Sequence, residues 1–455
     1  MQGYKTYLNI IDLLQLDNWS VQALLDSTFN YSNKFDLARI GDFLLKSREI
    51  VDVEDDEFYN RVTIRINNKG VELRDTEKGI NIGTKKQYRA KAGQFIISKI
   101  DARNGALGII PEELDNAIVT NDFPLFDVDQ RKINPQFLLL ITTTREFIKF
   151  AQSCSSGTTN RQRMDIEMFL NQKIPLPSIS DQNIIVNTYY DKLYQAQALE
   201  QEANDLEQRK RNYMLKKLYV GKEIEKKQYS GLKTIQFSSL TRWALSHAIK
   251  LGSLNFENCP FSFLPVKSIL KSFEGGKTPS KNRRDFWNGD IPWASPKDFK
   301  GPSLFSTEDK ITLTAVTETG IRIFPKGTLL SVFRSGILRH SFPTLITEIE
   351  TTINQDVKAY TLNEAIIDKH YYLYFVDVFR DYLLNKASKK SVTVESINTE
   401  EFMDVLLPVP PMTIQKELVI EIEKIIDLRN NKLLLAANNR GALEMEFDQA
   451  IFSVQ

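Results

Sequence analysis

The sequence predicts an α+β protein: two α/β domains in tandem, separated by two long helices that pair as an antiparallel coiled coil. Three observations predict it. Pro175 and Pro408, Pro177 and Pro410, and Gln182 and Gln415 each stand 233 residues apart, so the chain is two copies of one plan. After each proline pair comes a charged stretch with apolar residues at steps of three and four, the spacing of a coiled coil. Between these stretches lie short segments rich in β-branched and aromatic residues, punctuated by glycine, as in a mixed α/β domain.

In chain order, Tyr7–Leu16 and a segment from Trp19 through Leu25 are candidate helices. Leu37, Ile40, Phe43 and Leu44 follow at helical spacing, whereas Val62–Ile66 alternates and Gln94–Ile100 is rich in β formers. Gly79, Gly83, Gly93, Gly105 and Gly108 read as turn positions. Residues 133–151 (Ile133, Phe137, Leu140, Ile141, Phe147, Ile148) predict one core helix, with Asn134 as N-cap and Pro135 in its first turn. The small polar run Ser153–Arg163 predicts a loop. Pro175 and Pro177 impose extended backbone before the next helix.

From Gln182 to about Leu218 there is no Gly or Pro, and Tyr189, Leu193, Ala196, Leu199, Ala203 and Leu206 form a sparse apolar stripe. Gly221–Ser239 is a candidate linker, and the second copy begins near Trp243. Val266, Ile269 and Leu270 answer Ile40, Phe43 and Leu44, and an extended segment after Gly327 answers the one after Gly93. Asn121–Asp122 and Gln355–Asp356, Ile133 and Ile367, Phe137 and Tyr371, and Phe169 and Phe402 hold the offset to within a residue. The closing helix carries the clearest heptad: Val419, Ile422, Ile426, Arg429, Leu433, Ala436, Arg440, Leu443, Phe447 and Ala450.

Length and composition narrow the functional classes. At 455 residues the chain calls for two to four domains of about 150 residues. Its 42% hydrophobic and 26% charged residues are those of a water-soluble globular protein. No run approaches the ~18 apolar residues of a membrane span, and the start lacks a secretory signal, so a cytoplasmic protein with no membrane partner is expected. Two cysteines, Cys154 and Cys259, and three scattered histidines provide neither a disulfide framework nor a zinc site. A net charge of +1 conceals segregated acidic and basic segments, so it neither supports nor excludes a polyanionic partner.

Catalytic motifs fail on inspection. Gly276-Lys277-Thr278 resembles a phosphate-binding loop, but Lys271 stands where that loop needs glycine and Pro279 interrupts the helix that would follow. Asn134-Pro135-Gln136-Phe137 lacks the second proline of the adenine-methyltransferase signature. What recurs in both copies is a set of side chains suited to nucleic acid. The first copy has Lys85, Lys86, Arg89, Lys91, Lys99, Arg103 and Asn104, and then Ser155, Ser156, Thr158, Thr159, Asn160 and Arg161. The second has Lys277, Lys281, Arg283, Arg284, Lys297 and Lys300, and then Arg334, Arg339, Lys386, Lys389 and Lys390. Lysine and arginine supply the phosphate attraction; arginine, asparagine, serine and threonine reach base edges. The alternative is a scaffold whose paired helices present two domains to other proteins, the basic loops being solvated faces.

The stretch Gly275-Gly276-Lys277-Thr278-Pro279-Ser280, with Phe286-Trp287-Asn288-Gly289-Asp290-Ile291-Pro292-Trp293-Ala294-Ser295-Pro296-Lys297-Asp298, resembles the hallmark of target-recognition domains in type I restriction-modification specificity subunits. The tandem plan resembles that family along nearly the whole chain, although the first copy lacks both hallmark strings. The resemblance implies recognition domains at 1–182 and 240–412, spacer helices at 183–220 and 413–455, and a linker at 221–239. It implies a non-catalytic reader of a split double-stranded DNA target. Two methyltransferase subunits would dock on the helices, and restriction/translocase subunits would join through the complex. No cofactor would be its own; S-adenosylmethionine and ATP would belong to the partners. Within the hallmark, Trp287, Ile291, Pro292 and Trp293 are expected to fill a core, and Lys277, Ser280, Lys281, Arg283, Ser295 and Lys297 to meet DNA.

Overall fold

The computed structural model describes residues 31–156, 163–221, 256–389 and 394–452. The chain divides into two compact units, Met1–Ala198 with Leu435–Gln455, and Leu199–Leu434. The candidate helices before residue 31, the linker after Gly221 and the start of the second copy near Trp243 lie outside the described residues.

The first unit begins with β1 (Leu37–Arg39), β2 (Leu44–Ser47), β3 (Ile50–Asp52), β4 (Phe58–Ile64), β5 (Val71–Lys78), β6 (Lys86–Arg89), β7 (Phe95–Ile97), β8 (Leu107–Ile109), β9 (Ile118–Val119) and β10 (Leu125–Val128). They build a four-stranded sheet in the order β2-β10-β7-β8 and a five-stranded sheet in the order β3-β6-β9-β4-β5. The helical spacing of Leu37, Ile40, Phe43 and Leu44 therefore misled: it is a strand, a 3-10 turn at Ile40–Asp42 and a second strand, of which Ile40, Phe43 and Leu44 reach one core while Leu37 is exposed. Gly108 is likewise not a turn but the middle of β8, where a Cβ would stand 2.5 Å from the Val71 side chain.

Two helices, α1 (Pro135–Thr142) and α2 (Arg145–Ser153), replace the single helix expected over 133–151. Asn134 caps α1 as expected, accepting from the Gln136 and Phe137 amides. The break comes from threonine: the Thr143 and Thr144 hydroxyls turn back to the Leu139 and Ile141 carbonyls, and Thr144 caps the new helix at the Phe147 amide. Then come β11 (Ser155–Ser156), β12 (Arg163–Met164), α3 (Ile166–Asn171) and β13 (Lys173–Pro175), which pairs antiparallel with β1. Phe169 closes the core, stacked on Phe95 at 6.2 Å and edge-on to Phe147 at 5.9 Å. After the prolines α4 (Ile179–Lys217) starts.

The second unit repeats this plan with additions. Its elements are β14 (Ser262–Pro265), α5 (Val266–Ile269), β15 (Leu270–Gly275), β16 (Trp287–Ala294), β17 (Ser303–Leu304), β18 (Asp309–Ile311), α6 (Leu313–Thr319), β19 (Leu329–Val332), β20 (Thr344–Thr347), β21 (Thr352–Ile353) and β22 (Val357–Leu362). They continue through α7 (Lys369–Val378), α8 (Arg380–Ala387), β23 (Ser388–Lys389), β24 (Ser396–Ile397), α9 (Thr399–Met403), β25 (Leu406–Val409) and α10 (Met412–Ile451). The sheet order β15-β22-β19-β20, extended by β17, is that of β2-β10-β7-β8 in the first unit. The later apolar correspondences fall on the core: Ile133 and Ile367, Phe137 and Tyr371, and Phe169 and Phe402 are all buried. Around Phe402 stand Phe333 at 5.1 Å and Phe342 at 5.8 Å.

The long helices pair antiparallel. Within the first unit Lys192 bonds to Glu446 and Tyr189 meets Phe447 edge-on at 6.1 Å. Within the second, Glu202 meets Lys432, Glu207 meets Arg429 at 2.6 Å, and Lys217 meets Glu417. Partner numbers run in opposite directions, as antiparallel helices require. The stripe departs from the expected heptad at Leu433, which is 44% exposed, and at Arg440, also exposed, while Lys432 faces the partner helix and Ala436 is buried. A straight α-helix drifts about 20° per heptad, so the contact row slips by a residue. Among the described residues no helix is long and apolar enough to cross a membrane, and no cluster of three metal-binding side chains occurs.

Candidate nucleic-acid interface

In an antiparallel sheet the connections alternate between two ends, so loops distant in sequence gather at one edge. In the second unit, the end of β15, the start of β22, the end of β19 and the start of β20 meet there, with Gly275 opposite Lys358, Val332 opposite Val357 and Ser331 opposite Thr344. The loops leaving this end carry Lys277 and Thr278, Gln355, and Arg334. The Thr278 hydroxyl meets the Gln355 carboxamide, and the Arg334 amide donates to the Asp356 carbonyl at 3.2 Å. Arg334 and Lys389 flank the same residue, since each pairs through its backbone with Ser396 of β24. Arg334 and Lys389 are exposed and form no ion pair with a described residue.

The Gly-Gly-Lys-Thr-Pro stretch is held in place from below. A Cβ on Gly276 would lie 2.1 Å from the Ile353 carbonyl oxygen and 2.3 Å from that of Asn354, so only glycine lets the loop cross β21. The Lys277 amide donates to Ile353 at 3.1 Å, and the indole N–H groups of Trp293 and Trp287 donate to the carbonyls of Lys277 and Ser280, both at 3.1 Å. The two indoles meet edge-on at 5.1 Å. The tryptophans are thus scaffold, as expected, and they present Lys277, Ser280 and Lys281 on an exposed loop.

Three expected contacts are tied up in the protein itself. Ser295 is 7% exposed and its hydroxyl donates to Asp298 at 3.1 Å, capping a 3-10 turn rather than facing solvent. Arg283 binds both oxygens of Asp285 at 2.8 and 2.6 Å, reaches Glu318 at 3.1 Å and lies over the Phe286 ring. Lys297 lies 2.9 Å from Asp309 and 3.3 Å from Glu308. Asp298 and Asp285 stand only three and two residues from the groups they hold, while Glu318 and Asp309 arrive from α6 and β18.

The first unit offers the equivalent edge. Here the end of β2, the start of β10, the end of β7 and the start of β8 come together, with Ser47 opposite Leu125 and Ile97 opposite Leu107. Lys46, Ser47, Arg48, Tyr88 and Asn121 line a cavity of about 230 Å³. The β7–β8 connection adds Lys99, Arg103 and Asn104. The Lys99 amide donates to Asp122 at 2.9 Å, its carbonyl accepts from Met164 at 2.8 Å, and Arg163 bridges to Asp122 at 3.1 Å. The β11–β12 hairpin therefore joins this edge, with Ser155 and Ser156 paired to Met164 and Arg163. Desolvation, and then the charges of Arg48 and Lys99, lower the Lys46 ammonium below its ordinary value. Cations crowd here, and an anion would relieve them.

Lys85, Lys86 and Arg89 lie instead on or beside β6 in the five-stranded sheet. Lys85 is paired with Asp55, and Arg89 with Glu49 at 3.0 Å, while Lys86 is exposed. Thr158, Thr159, Asn160, Arg161 and Lys390 lie outside the described residues. Sequence reading missed Arg48, Arg163, Thr278 and Gln355 as contact candidates. Asn121 and Gln355 had shown only as repeat landmarks, and their signal was a carboxamide kept just before a core strand in both copies.

A family model described as the type I restriction modification DNA specificity domain matches residues 30–208 and again 260–436. The chain belongs to this family. The specificity subunit of the type I restriction enzyme EcoR124I/EcoR124II of Escherichia coli is 35% identical over 179 residues, which are 39% of this chain and 44% of that protein. The MjaIX specificity subunit of Methanocaldococcus jannaschii is 30% identical over 173 residues, 37% of this chain and 39% of that one. The matched stretches thus span less than half of these curated relatives. A solved structure concerned with complex assembly and conformational transition of the type I R-M system shares the fold. Its TM-score is 0.58 at 14% identity, over 93% of this chain and 99% of that one. Both copies of the family domain contain one of the two basic sheet edges.

Proposed function

We propose that this specificity-family chain is the sequence-reading, non-catalytic subunit of a type I restriction-modification complex. Each copy reads one half of a bipartite, asymmetric DNA target. The recognition domains are residues 1–182 and 240–412, the spacer helices 183–220 and 413–455, and residues 221–239 link the copies. The observation that carries this reading is the repetition of one edge. Lys46 at the end of β2 and Arg48, Lys99 and Asn121 on loops in the first unit, and Lys277, Thr278, Arg334 and Gln355 on loops in the second, sit at the corresponding end of the same sheet, with Lys389 of β23 beside Arg334 across Ser396. Cations there neutralise phosphates, and carboxamides and hydroxyls offer the donors and acceptors that distinguish bases.

The helices act as spacers and as the docking site for two methyltransferase subunits, through which restriction/translocase subunits join. Helices of 39 and 40 residues extend about 60 Å at 1.5 Å per residue, longer than the ~34 Å turn separating half-sites. Methyl donor and ATP bind to the partners. Sequencing the methylome of a host that carries this chain with its methyltransferase tests the proposal. A modified motif of two fixed halves around an unspecified spacer is expected, and exchanging residues 240–412 should alter one half only. No modified bipartite motif, or a motif unaltered by the exchange, overturns it.

A further inference from the structure

Gln182 and Gln415 occupy the first turns of α4 and α10, and both are fully buried. The Gln182 Nε2 donates to the Pro177 carbonyl at 2.8 Å and to that of Lys132 at 3.1 Å, while its Oε1 accepts from the Asn134 amide at 2.8 Å. Gln415 repeats the arrangement, donating to Pro410 at 2.8 Å and Ile366 at 3.0 Å and accepting from Asp368 at 2.7 Å. Asn134 and Asp368 are the N-caps of α1 and α7. In each unit one carboxamide therefore ties the long helix to the proline before it and to the entry of the core helix.

Only a carboxamide of this length suits the position. It satisfies two carbonyls and one amide at once; a carboxylate would face the carbonyls with charge, and an apolar group would take this partner from all three backbone groups, the proline carbonyl among them being buried. The backbone at the joint is short, three residues (Leu176–Ser178) between β13 and α4 and two prolines between β25 and α10. A domain of about 180 residues is about 40 Å across, so turning it by about 5° on its helix moves its far face by about one base-pair step.

We infer that Gln182 and Gln415 are positioning residues that hold each recognition domain at a fixed angle on its long helix, and so confine the complex to one spacer length. This rests on the DNA-reading function proposed above. The test uses the complex of the full chain with its methyltransferase, on duplexes whose half-sites are separated by the native spacer or by one base pair more or fewer. Gln182→Met and Gln415→Met keep the volume and remove the hydrogen bonds; Gln182→Glu keeps the shape.

Each variant should still require the native half-site bases, while its preference for the native spacer over its neighbours falls by about tenfold, the factor that one or two net hydrogen bonds represent. An unchanged preference, or equal loss of methylation at all three spacers, overturns the inference. So does failure of all the variants to assemble, which would make the glutamines elements of stability alone. A wild-type complex that methylates no bipartite duplex would instead overturn the DNA-reading proposal itself.

Discussion

Replacing Gly276 by alanine should destabilise the second unit and release its basic loop. The new Cβ would stand 2.1 Å from one backbone oxygen, 2.3 Å from another and 2.5 Å from the Ile353 carbonyl carbon. A normal contact is about 1 Å longer, and these atoms cannot retreat, because β21 is buried and pairs with Trp293 and Ala294 of β16. The collision also removes the bond from the Lys277 amide to Ile353. Overpacking of this kind costs about 1–3 kcal/mol, with about 1 kcal/mol more for the hydrogen bond. For a unit of 150–250 residues each kcal/mol lowers Tm by about 2–4 °C, so a fall of about 4–16 °C is expected. Calorimetry of the intact chain reads it, with Gly301→Ala as control, since a Cβ there meets nothing within 4 Å. If Gly276→Ala melts with Gly301→Ala and the wild type, the scaffold role given to the glycine is wrong.

Arg48→Ala with Lys99→Ala should weaken DNA binding and lower the slope of log affinity against log salt by up to about 2, roughly 0.9 for each phosphate no longer neutralised. Lys85→Ala should leave that slope unchanged, because its ammonium is already paired with Asp55; equal effects from both changes in a salt titration would refute the assignment of the sheet edge. At Glu207 burial pushes the carboxyl up, but hydrogen bonds and charge from Lys210 and Arg429 outweigh it and hold it below the ordinary range. Its contribution is therefore present above the unfolded value near pH ~4.3 and lost as pH falls through the lower folded value. Melting curves should show Glu207→Gln less stable at pH 7 by no more than about 1 kcal/mol, given its partial exposure, with the difference closing as the pH falls below the ordinary carboxylate range.

The sequence by itself determined the plan. A fixed offset of 233 residues, two Gly- and Pro-free stretches and the proline pairs before them settled the tandem domains and long helices, because chain periodicity maps directly onto helix faces. It also determined which positions were core, since Phe169 and Phe402 had to be buried at equivalent points. What only the tertiary structure decided was charge pairing and loop convergence. Lys297 looked free because its partner Asp309 comes from another strand; Arg283 gains Glu318 from α6, but its nearer partner, Asp285, stands two residues along the chain. Arg48 and Gln355 looked unremarkable because sheet pairing, not sequence distance, brings their loops to an edge. The threonine break at Thr143–Thr144 was also hidden, for the helical spacing of apolar residues runs across it while the hydroxyls end the helix from within. Periodicity depends on near neighbours along the chain; an electrostatic surface depends on residues that only folding makes neighbours.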